Sequence, residues 1–162
     1  MARKHSSVSV RSRTSGRRIS EPRTTKRGVV FVAMAFSGTD MSEAYTAIKD
    51  ECSRLGLDAY RVDELTGSDF VILNIFGLIE HAEFIIFDLT HERLNVVYEL
   101  GYADGVGVDS KNILLLAREG TILPFDVASR SVQFYSSTEH LRSLVARHMK
   151  GMLGDAYRVS WP

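Results

Sequence analysis

The sequence predicts an α/β domain built as a three-layer, doubly wound parallel sheet with helices on both faces. From residue 28 onward, short apolar runs alternate with longer segments whose apolar residues recur every three or four positions. The apolar runs are continuous rather than alternating, which is typical of parallel strands that are buried on both faces. Strands that alternate with helices pair in parallel, because each crossover helix packs back onto the sheet.

Each element follows from its local pattern. Five short apolar segments bounded by turn residues are predicted strands: 28–36, 57–62, 83–89, 112–117 and 132–135. Helices are predicted between Ser42, an N-cap residue, and Gly56, a helix stop, and over 67–82, 95–106 and 139–152. The segment 157–161 fits either a short extra strand or a docked tail. For five strands, the expected order is the flavodoxin-like 2-1-3-4-5.

Length and composition narrow the classes of protein. A chain of 162 residues corresponds to one domain, and 44% hydrophobic with 25% charged residues excludes a collagen-like, coiled-coil or wholly disordered chain. No apolar run approaches the roughly 18–20 residues that cross a membrane, so no membrane association is expected. The single cysteine, Cys52, excludes an intramolecular disulfide and a cysteine-rich zinc site, and it favours a reducing, cytoplasmic location.

The charges divide the chain into two parts. Residues 1–27 hold nine Lys/Arg and the single acid Glu21, a net charge of +8, and because the whole chain is neutral, residues 28–162 carry −8. The first part is rich in Ser, Thr and Arg and poor in large apolar residues, so we predict a basic, disordered arm followed by one folded domain. Such an arm is either a solvated tail or a segment that contacts nucleic acid or the acidic body of a neighbouring subunit.

The predicted topology places the functional site. In doubly wound sheets, ligands bind outside the carboxyl ends of the strands, at the switch point between strands 1 and 3. Three predicted loops meet there: 36–41, 61–66 and 88–95. The candidate substrate-binding residues of the first two loops are Phe36, Ser37, Gly38, Arg61 and Asp63. Arg61 and Asp63 fit either contacts to a phosphate or ribose or a surface ion pair.

Two carboxylates are the candidate catalytic groups. Asp88 ends the third predicted strand, and Asn95 and Glu99 lie four residues apart on one face of the next helix, so the three can line one wall of a pocket. Paired carboxylates suit cleavage of a glycosidic bond, because one attacks or stabilises the cationic sugar while the other orients the sugar or transfers a proton. The alternative is that Asp88 caps a turn and Glu99 is exposed to solvent.

Four further features have open interpretations. Tyr98 can stack on a base or pack against the sheet or a partner. His91 is the histidine of a site loop and is either a proton carrier or an exposed loop residue. The glycines at 101, 105 and 107 indicate close helix packing and a helix stop, since they do not follow a strand as a dinucleotide fingerprint must. The five histidines show no metal-ligand spacing, so neither a metal nor another cofactor is expected.

Four segments, in this order, carry a resemblance to a known family: Phe31-Val-Ala-Met-Ala-Phe36, Ile85-Ile-Phe-Asp-Leu-Thr90, Asn95-Val-Val-Tyr-Glu-Leu-Gly-Tyr-Ala103 and Leu123-Pro-Phe-Asp126. Together they resemble the nucleoside 2-deoxyribosyltransferase-like superfamily, which includes N-glycosidases and short bacterial proteins, some tied to anti-phage defence. The resemblance implies that Glu99 is the nucleophile or transition-state carboxylate and that Asp88 positions the ribose hydroxyls or assists the leaving base. It also implies that Asn95 approaches the sugar, and the turn 36–40 the base or phosphate.

Some residues depart from the family pattern. Phe36 stands where the transferases usually carry Tyr, and Arg93-Leu-Asn95 stands where an Asn-Pro-Asn run is common. These departures favour hydrolysis or ligand binding over base exchange. The architecture also resembles TIR domains, in which a helix Glu cleaves the N-glycosidic bond of NAD. The expected function is therefore N-glycosidic cleavage of a nucleoside, nucleotide or NAD by a homo-oligomer. The alternative is a non-catalytic nucleotide-binding or self-assembling module.

Overall fold

A five-stranded, fully parallel sheet forms the centre of the molecule. The computed structural model describes residues 23–64, 71–91 and 93–157, apart from the side chains at 71–74 and 155–157. The strands stand in the order β2-β1-β3-β4-β5, which confirms the predicted topology. Their bounds are β1 Lys26–Ala33, β2 Asp58–Tyr60, β3 Ala82–Asp88, β4 Ile113–Arg118 and β5 Val132–Tyr135.

Helices connect the strands and cover the sheet. They are α1 Thr39–Arg54, α2 Val71–His81, α3 Leu94–Gly105, α4 Phe125–Ala128 and α5 Thr138–Tyr157, with single 3₁₀ turns at Val62–Glu64 and Ser110–Asn112. The sequence pattern predicted four of these helices, and the one-turn α4 lies between the fourth and fifth predicted strands. Within the described part of the chain, no helix is both long enough and apolar enough to cross a bilayer.

The central strand β3 divides the core into two apolar layers. Phe84 and Ile86 point to the face covered by α1 and α5, whereas Ile85 and Phe87 point to the face covered by α2 and α3. All four side chains are fully buried. This burial on both faces explains the continuous apolar run in the sequence, since alternate residues enter different layers.

The folded domain begins before the predicted boundary at residue 28. Strand β1 starts at Lys26, and the Arg23 guanidinium donates hydrogen bonds to the carbonyl oxygens of Ile79, Glu80 and Ala82. The last five residues of the predicted arm therefore lie against the amino edge of the sheet, where β3 starts. Residues 1–22 of the arm, the predicted helical turn at 67–70 and the segment 158–161 lie outside the described residues.

Two glycines end helices in the left-handed conformation. Gly56 follows α1 with φ 72°, and the amides of Gly56 and Leu57 bond to the carbonyls of Ser53 and Cys52, a Schellman motif. Gly107 follows α3 with φ 78°. The predicted stops are confirmed, but the close packing predicted for Gly101 and Gly105 is wrong. A Cβ at either position would meet nothing within 4 Å, because both glycines lie on the outward side of α3.

Replacing Gly56 by Ala is expected to lower the free energy of unfolding by about 1–2 kcal/mol, because an L-residue is strained at this positive φ. Replacing Gly101 by Ala is the matched control and is expected to raise it by about 0.5–1 kcal/mol, since the added methyl enters open space in a helix. Urea unfolding curves measure both values. Equal effects of the two substitutions would contradict the assignment of the α1 terminus.

Candidate active site

The loops after β1 and β3 meet at the carboxyl edge of the sheet, which is where doubly wound folds form their ligand crevice. These strands are neighbours, but β1 leads into α1 on one face and β3 leads into α3 on the other, which makes this the switch point. Two side-chain hydrogen bonds bridge the loops: His91 Nε2 to Asp40 Oδ2 at 2.9 Å, and Arg93 Nη2 to Ser37 Oγ at 3.2 Å. The first and third predicted site loops are therefore brought together.

Glu99 is a buried carboxylate without a counter-charge among the described residues. It lies in the second turn of α3, on the side that carries Val96, Leu100 and Ala103, and it is only 7% exposed. No hydrogen bond or ion pair joins it to another described side chain or amide. Burial alone raises the pKa of Glu99 from 4.5 to about 7. A carboxylate that is buried without a charged partner and has a raised pKa is a candidate for a catalytic role.

Asp88 is buried more completely but is well bonded. Its Oδ1 accepts from the Thr90 amide at 2.9 Å, and its Oδ2 accepts from the Tyr135 hydroxyl at 2.9 Å. Because the Tyr135 hydroxyl proton points to Asp88, the Thr90 hydroxyl is the donor in its 3.2 Å contact with Tyr135 Oη. Thr90 Oγ1 in turn accepts from the Arg118 amide at 2.9 Å. Burial raises the pKa of Asp88, and these bonds partly offset it.

The two candidate catalytic carboxylates emerge on opposite faces of the sheet. Asp88 follows the alternation of Phe84 and Ile86 and bonds to Tyr135 in the α1/α5 layer, whereas Glu99 lies in the α2/α3 layer. Asp88, Asn95 and Glu99 therefore do not form the single pocket wall that was expected. Successive residues of a strand alternate between faces, and Asp88 falls on the face opposite to α3. A chemical role for Asp88 stays a prediction, and its contacts hold the loop after β3.

Arg61 and Asp63, from the second predicted site loop, form an ion pair. Arg61 Nε and Nη2 donate to the two Asp63 carboxylate oxygens at 2.6 and 2.8 Å. The guanidinium carbon lies 4.3 Å from the Tyr45 ring centroid and 5.5 Å from that of Phe36, so two aromatic rings flank the cation. Arg61 is buried, and no described residue bonds to its Nη1. The ion pair thus joins a buried guanidinium to an exposed carboxylate, and binding of substrate by it stays a prediction.

The other predicted substrate-binding residues are divided between the carboxyl edge of the sheet and the outer side of α3. Phe36 is 45% exposed, and Gly38 has φ 108° at the start of α1. Asn95 is exposed in the first turn of α3. Tyr98 points outward, with its ring 6.2 Å from Phe76, beside a groove of about 450 Å³ along the outer side of α3. Tyr98 is therefore placed on a different side of α3 from Glu99.

The sequence analysis missed several residues of this edge. Asp40 lies within the first predicted loop and accepts from His91, while Arg118 Nη1 lies 3.8 Å from the same oxygen, Asp40 Oδ2. These interactions, the His91 hydrogen bond first, lower the pKa of Asp40. Tyr135 and Arg118 end β5 and β4, so the rule that ligands bind at the carboxyl edge could have singled them out. The described residues contain no group of three or more His, Cys, Asp or Glu side chains arranged to hold a metal.

Comparison with known proteins shows the fold. No protein-family model and no curated protein matches the sequence. Among solved structures, a variant of the flavo di-iron protein from Thermotoga maritima aligns with 80% of this chain at TM-score 0.55 and 11% identity. A diflavin flavoprotein from Nostoc sp. aligns with 85% at TM-score 0.52 and 10% identity. The fold is flavodoxin-like. The chain spans 37% of the length of the first protein and 99% of the second.

An acidic side chain lies at the start of α1, where a flavodoxin-like fold would hold the phosphate of a flavin. A flavin mononucleotide presents a phosphate at the switch point, where the start of a helix is the natural anion site. Here the Asp40 carboxylate covers the start of α1, since a Cβ on Gly38 would meet Asp40 Oδ1 at 2.5 Å. The structural neighbours share the fold at only 10–11% identity, so flavin chemistry is not carried over from them.

Replacing Tyr135 by Phe is expected to lower the free energy of unfolding by about 1–3 kcal/mol, because a buried carboxylate loses a donor. The loss should be larger at pH 8 than at pH 4. Burial raises the pKa of Asp88 in the folded state, so the free energy of unfolding falls as the pH rises from the ordinary pKa to the folded-state pKa. Loss of the Tyr135 donor raises the folded-state pKa further, so the free energy of unfolding continues to fall up to a higher pH. Denaturant titrations at the two pH values measure it.

Tyr60→Phe is the control for this test. Tyr60 lies on the edge strand β2, is partly exposed, and its hydroxyl bonds to no described residue. A change of more than a few tenths of a kcal/mol for Tyr60→Phe, or a Tyr135→Phe penalty independent of pH, would contradict the role of the Asp88 cluster.

Proposed function

We propose that this chain cleaves the N-glycosidic bond of a nucleoside, nucleotide or NAD, with Glu99 as the carboxylate that stabilises or attacks the sugar. The observation that carries the proposal is the buried Glu99, whose pKa is raised by desolvation and whose charge has no described counter-ion. An enzyme gains rate from interactions that are stronger in the transition state than in the ground state.

The chemistry of the bond supplies the missing counter-charge. When the C1′–N bond stretches, positive charge develops on the sugar, as in glycoside hydrolysis. A carboxylate with no cation beside it, in a site of low dielectric, interacts strongly with that charge. Glu99 meets these conditions, because its neighbours on α3, Val96, Leu100 and Ala103, are apolar. A nucleophilic attack and an electrostatic role are both compatible with this position.

The family resemblance supports the same residue. The Tyr-Glu-Leu-Gly-Tyr-Ala segment that contains Glu99 follows an Asp-ended strand, as in the nucleoside 2-deoxyribosyltransferase-like superfamily. In this proposal Asp88 acts through the loop after β3, Asn95 faces the sugar and Phe36 faces the base. Membership of that superfamily, a role in antiviral defence, a cytoplasmic location and assembly into a homo-oligomer are parts of the same proposal.

Replacing Glu99 by Gln is expected to abolish base release and, at the same time, to stabilise the fold. The pKa of Glu99 in the folded state, about 7, lies above the ordinary 4.5, so ionisation of the wild type costs stability as the pH rises between these values. A neutral amide removes this cost. The gain at pH 8 is on the order of 1–3 kcal/mol, and it should vanish near pH 4, where Glu99 is protonated in both states.

Chromatographic detection of free base from NAD and a panel of nucleosides and nucleotides measures the first effect, and thermal or urea unfolding measures the second. Glu43→Gln on the exposed side of α1 is the control and should change neither. Base release that survives Glu99→Gln would contradict the proposed chemistry. A stability loss instead of a gain would show that Glu99 is a structural residue.

The alternative is a self-assembling or nucleic-acid-binding module that uses the basic residues of the arm. Arg23 is anchored at the amino edge of the sheet, whereas the crevice lies at the carboxyl edge. Deletion of residues 1–22 is therefore expected to leave base release within about twofold. If the arm contacts an acidic neighbour or nucleic acid, the same deletion lowers the sedimentation mass or the DNA and RNA affinity, and that affinity falls steeply with salt. If the deletion changes neither the sedimentation mass nor the affinity for DNA and RNA, the arm has no role in assembly or nucleic-acid binding.

A further inference from the structure

Cleavage of an N-glycosidic bond needs a proton for the departing base as well as an anion for the sugar. Glu99 supplies the anion in the proposed function, and the titratable side chains at the carboxyl edge of the sheet are the candidates for the proton donor. Asp40 is unsuited, because the His91 hydrogen bond lowers its pKa and keeps it ionised. Asp88 and Tyr135 are unsuited, because both are fully buried and bonded to each other in the α1/α5 layer. His91 remains, and its side chain is 45% exposed.

The contacts of His91 fix the state of its ring. An ionised carboxylate only accepts hydrogen bonds, so the 2.9 Å contact to Asp40 Oδ2 requires a proton on His91 Nε2. No described residue bonds to Nδ1. The second ring nitrogen is therefore the one available to a ligand, and a histidine whose other nitrogen is held by a carboxylate is the arrangement that orients catalytic imidazoles.

The backbone at His91 is unusual. Its φ is +67°, and His91 is the one described residue other than glycine with a positive φ. A left-handed conformation costs an L-residue stability, and such residues cluster at functional sites where the surroundings enforce them. Here Thr90, the preceding residue, is bonded to Asp88 and Tyr135, so the loop has little freedom to relax. This geometry carries the imidazole across the crevice to α1.

We propose that His91, oriented by Asp40, is the general acid and base of the reaction that Glu99 serves. This inference rests on the proposed function and adds a second catalytic residue to it. His91 enters the reaction with both ring nitrogens protonated: Nε2–H is held by Asp40, and Nδ1–H faces the base. As the C1′–N bond breaks, its electron pair stays with the base, and the base takes the proton of His91 Nδ1. Water then adds to C1′ and returns a proton to Nδ1, which leaves free base, free sugar and an unchanged enzyme.

The charges around the pair suit this cycle. Asp40 comes from α1, Arg118 from the end of β4 lies 3.8 Å from its carboxylate, and Arg93 from the His91 loop bonds to Ser37. The His91 hydrogen bond and Arg118 keep Asp40 ionised, and its negative charge stabilises the imidazolium form of His91.

The test compares two leaving groups. A purine nucleoside needs a proton on its base, whereas p-nitrophenyl riboside releases a phenolate that leaves without one. His91→Asn keeps a residue type that tolerates a positive φ. We expect it to lower kcat on the nucleoside by about 100-fold or more and on the aryl riboside by less than about fivefold. Asp40→Asn should show the same split, and His81→Asn, at the far end of α2, should change neither rate.

The outcomes separate the two proposals. If the wild type cleaves the aryl riboside and Glu99→Gln does not, the proposed function is supported, independently of the rates measured for His91→Asn. Equal losses on both substrates, or no loss on either, in His91→Asn overturn the role of His91 and leave that of Glu99. If the wild type cleaves neither substrate, both proposals fail. A ¹⁵N spectrum of the wild-type His91 ring adds a readout without turnover: a neutral ring protonated on Nδ1 instead of Nε2 would also overturn the inference.

Discussion

The carboxyl edge of this sheet depends on one buried carboxylate and the hydrogen bonds that satisfy it. Asp88 has no exposed surface, and it draws the Thr90 amide and the Tyr135 hydroxyl into fixed positions. A buried carboxylate without hydrogen bonds would lower the stability of the fold by several kcal/mol, so the folded state requires these bonds. Through the Thr90 hydroxyl and the Arg118 amide, the same set of bonds ties the ends of β3, β4 and β5 together.

This constraint reaches the crevice through the chain itself. Thr90 is followed by His91, whose left-handed backbone turns its ring towards Asp40 at the start of α1. Polar networks in a core are strong when every member is bonded, because the low dielectric strengthens each bond. A rigid base beneath the loop is what allows a strained residue above it to persist. Asp88 therefore shapes the crevice without facing it.

The two carboxylates illustrate opposite solutions to the same problem. Asp88 is buried and bonded on one face of the sheet, and Glu99 is buried without a described partner on the other. Natural sequences follow the local rules of burial and pairing almost everywhere and depart from them chiefly at functional sites. The burial of Glu99 without a described counter-charge is therefore the observation on which the proposed function depends.

The sequence by itself determined the fold class and the strand order, because apolar periodicity and crossover handedness are local or nearly universal rules. It also singled out Glu99, Asp88 and His91 as candidate groups at the predicted site. The tertiary structure alone decided that Asp88 bonds to Tyr135, 47 residues later, and that His91 reaches Asp40, 51 residues earlier. It also decided on which face each carboxylate lies. Such contacts depend on strand register and the alternation of side chains at a strand end, where a shift of one residue moves a group to the other side of the sheet.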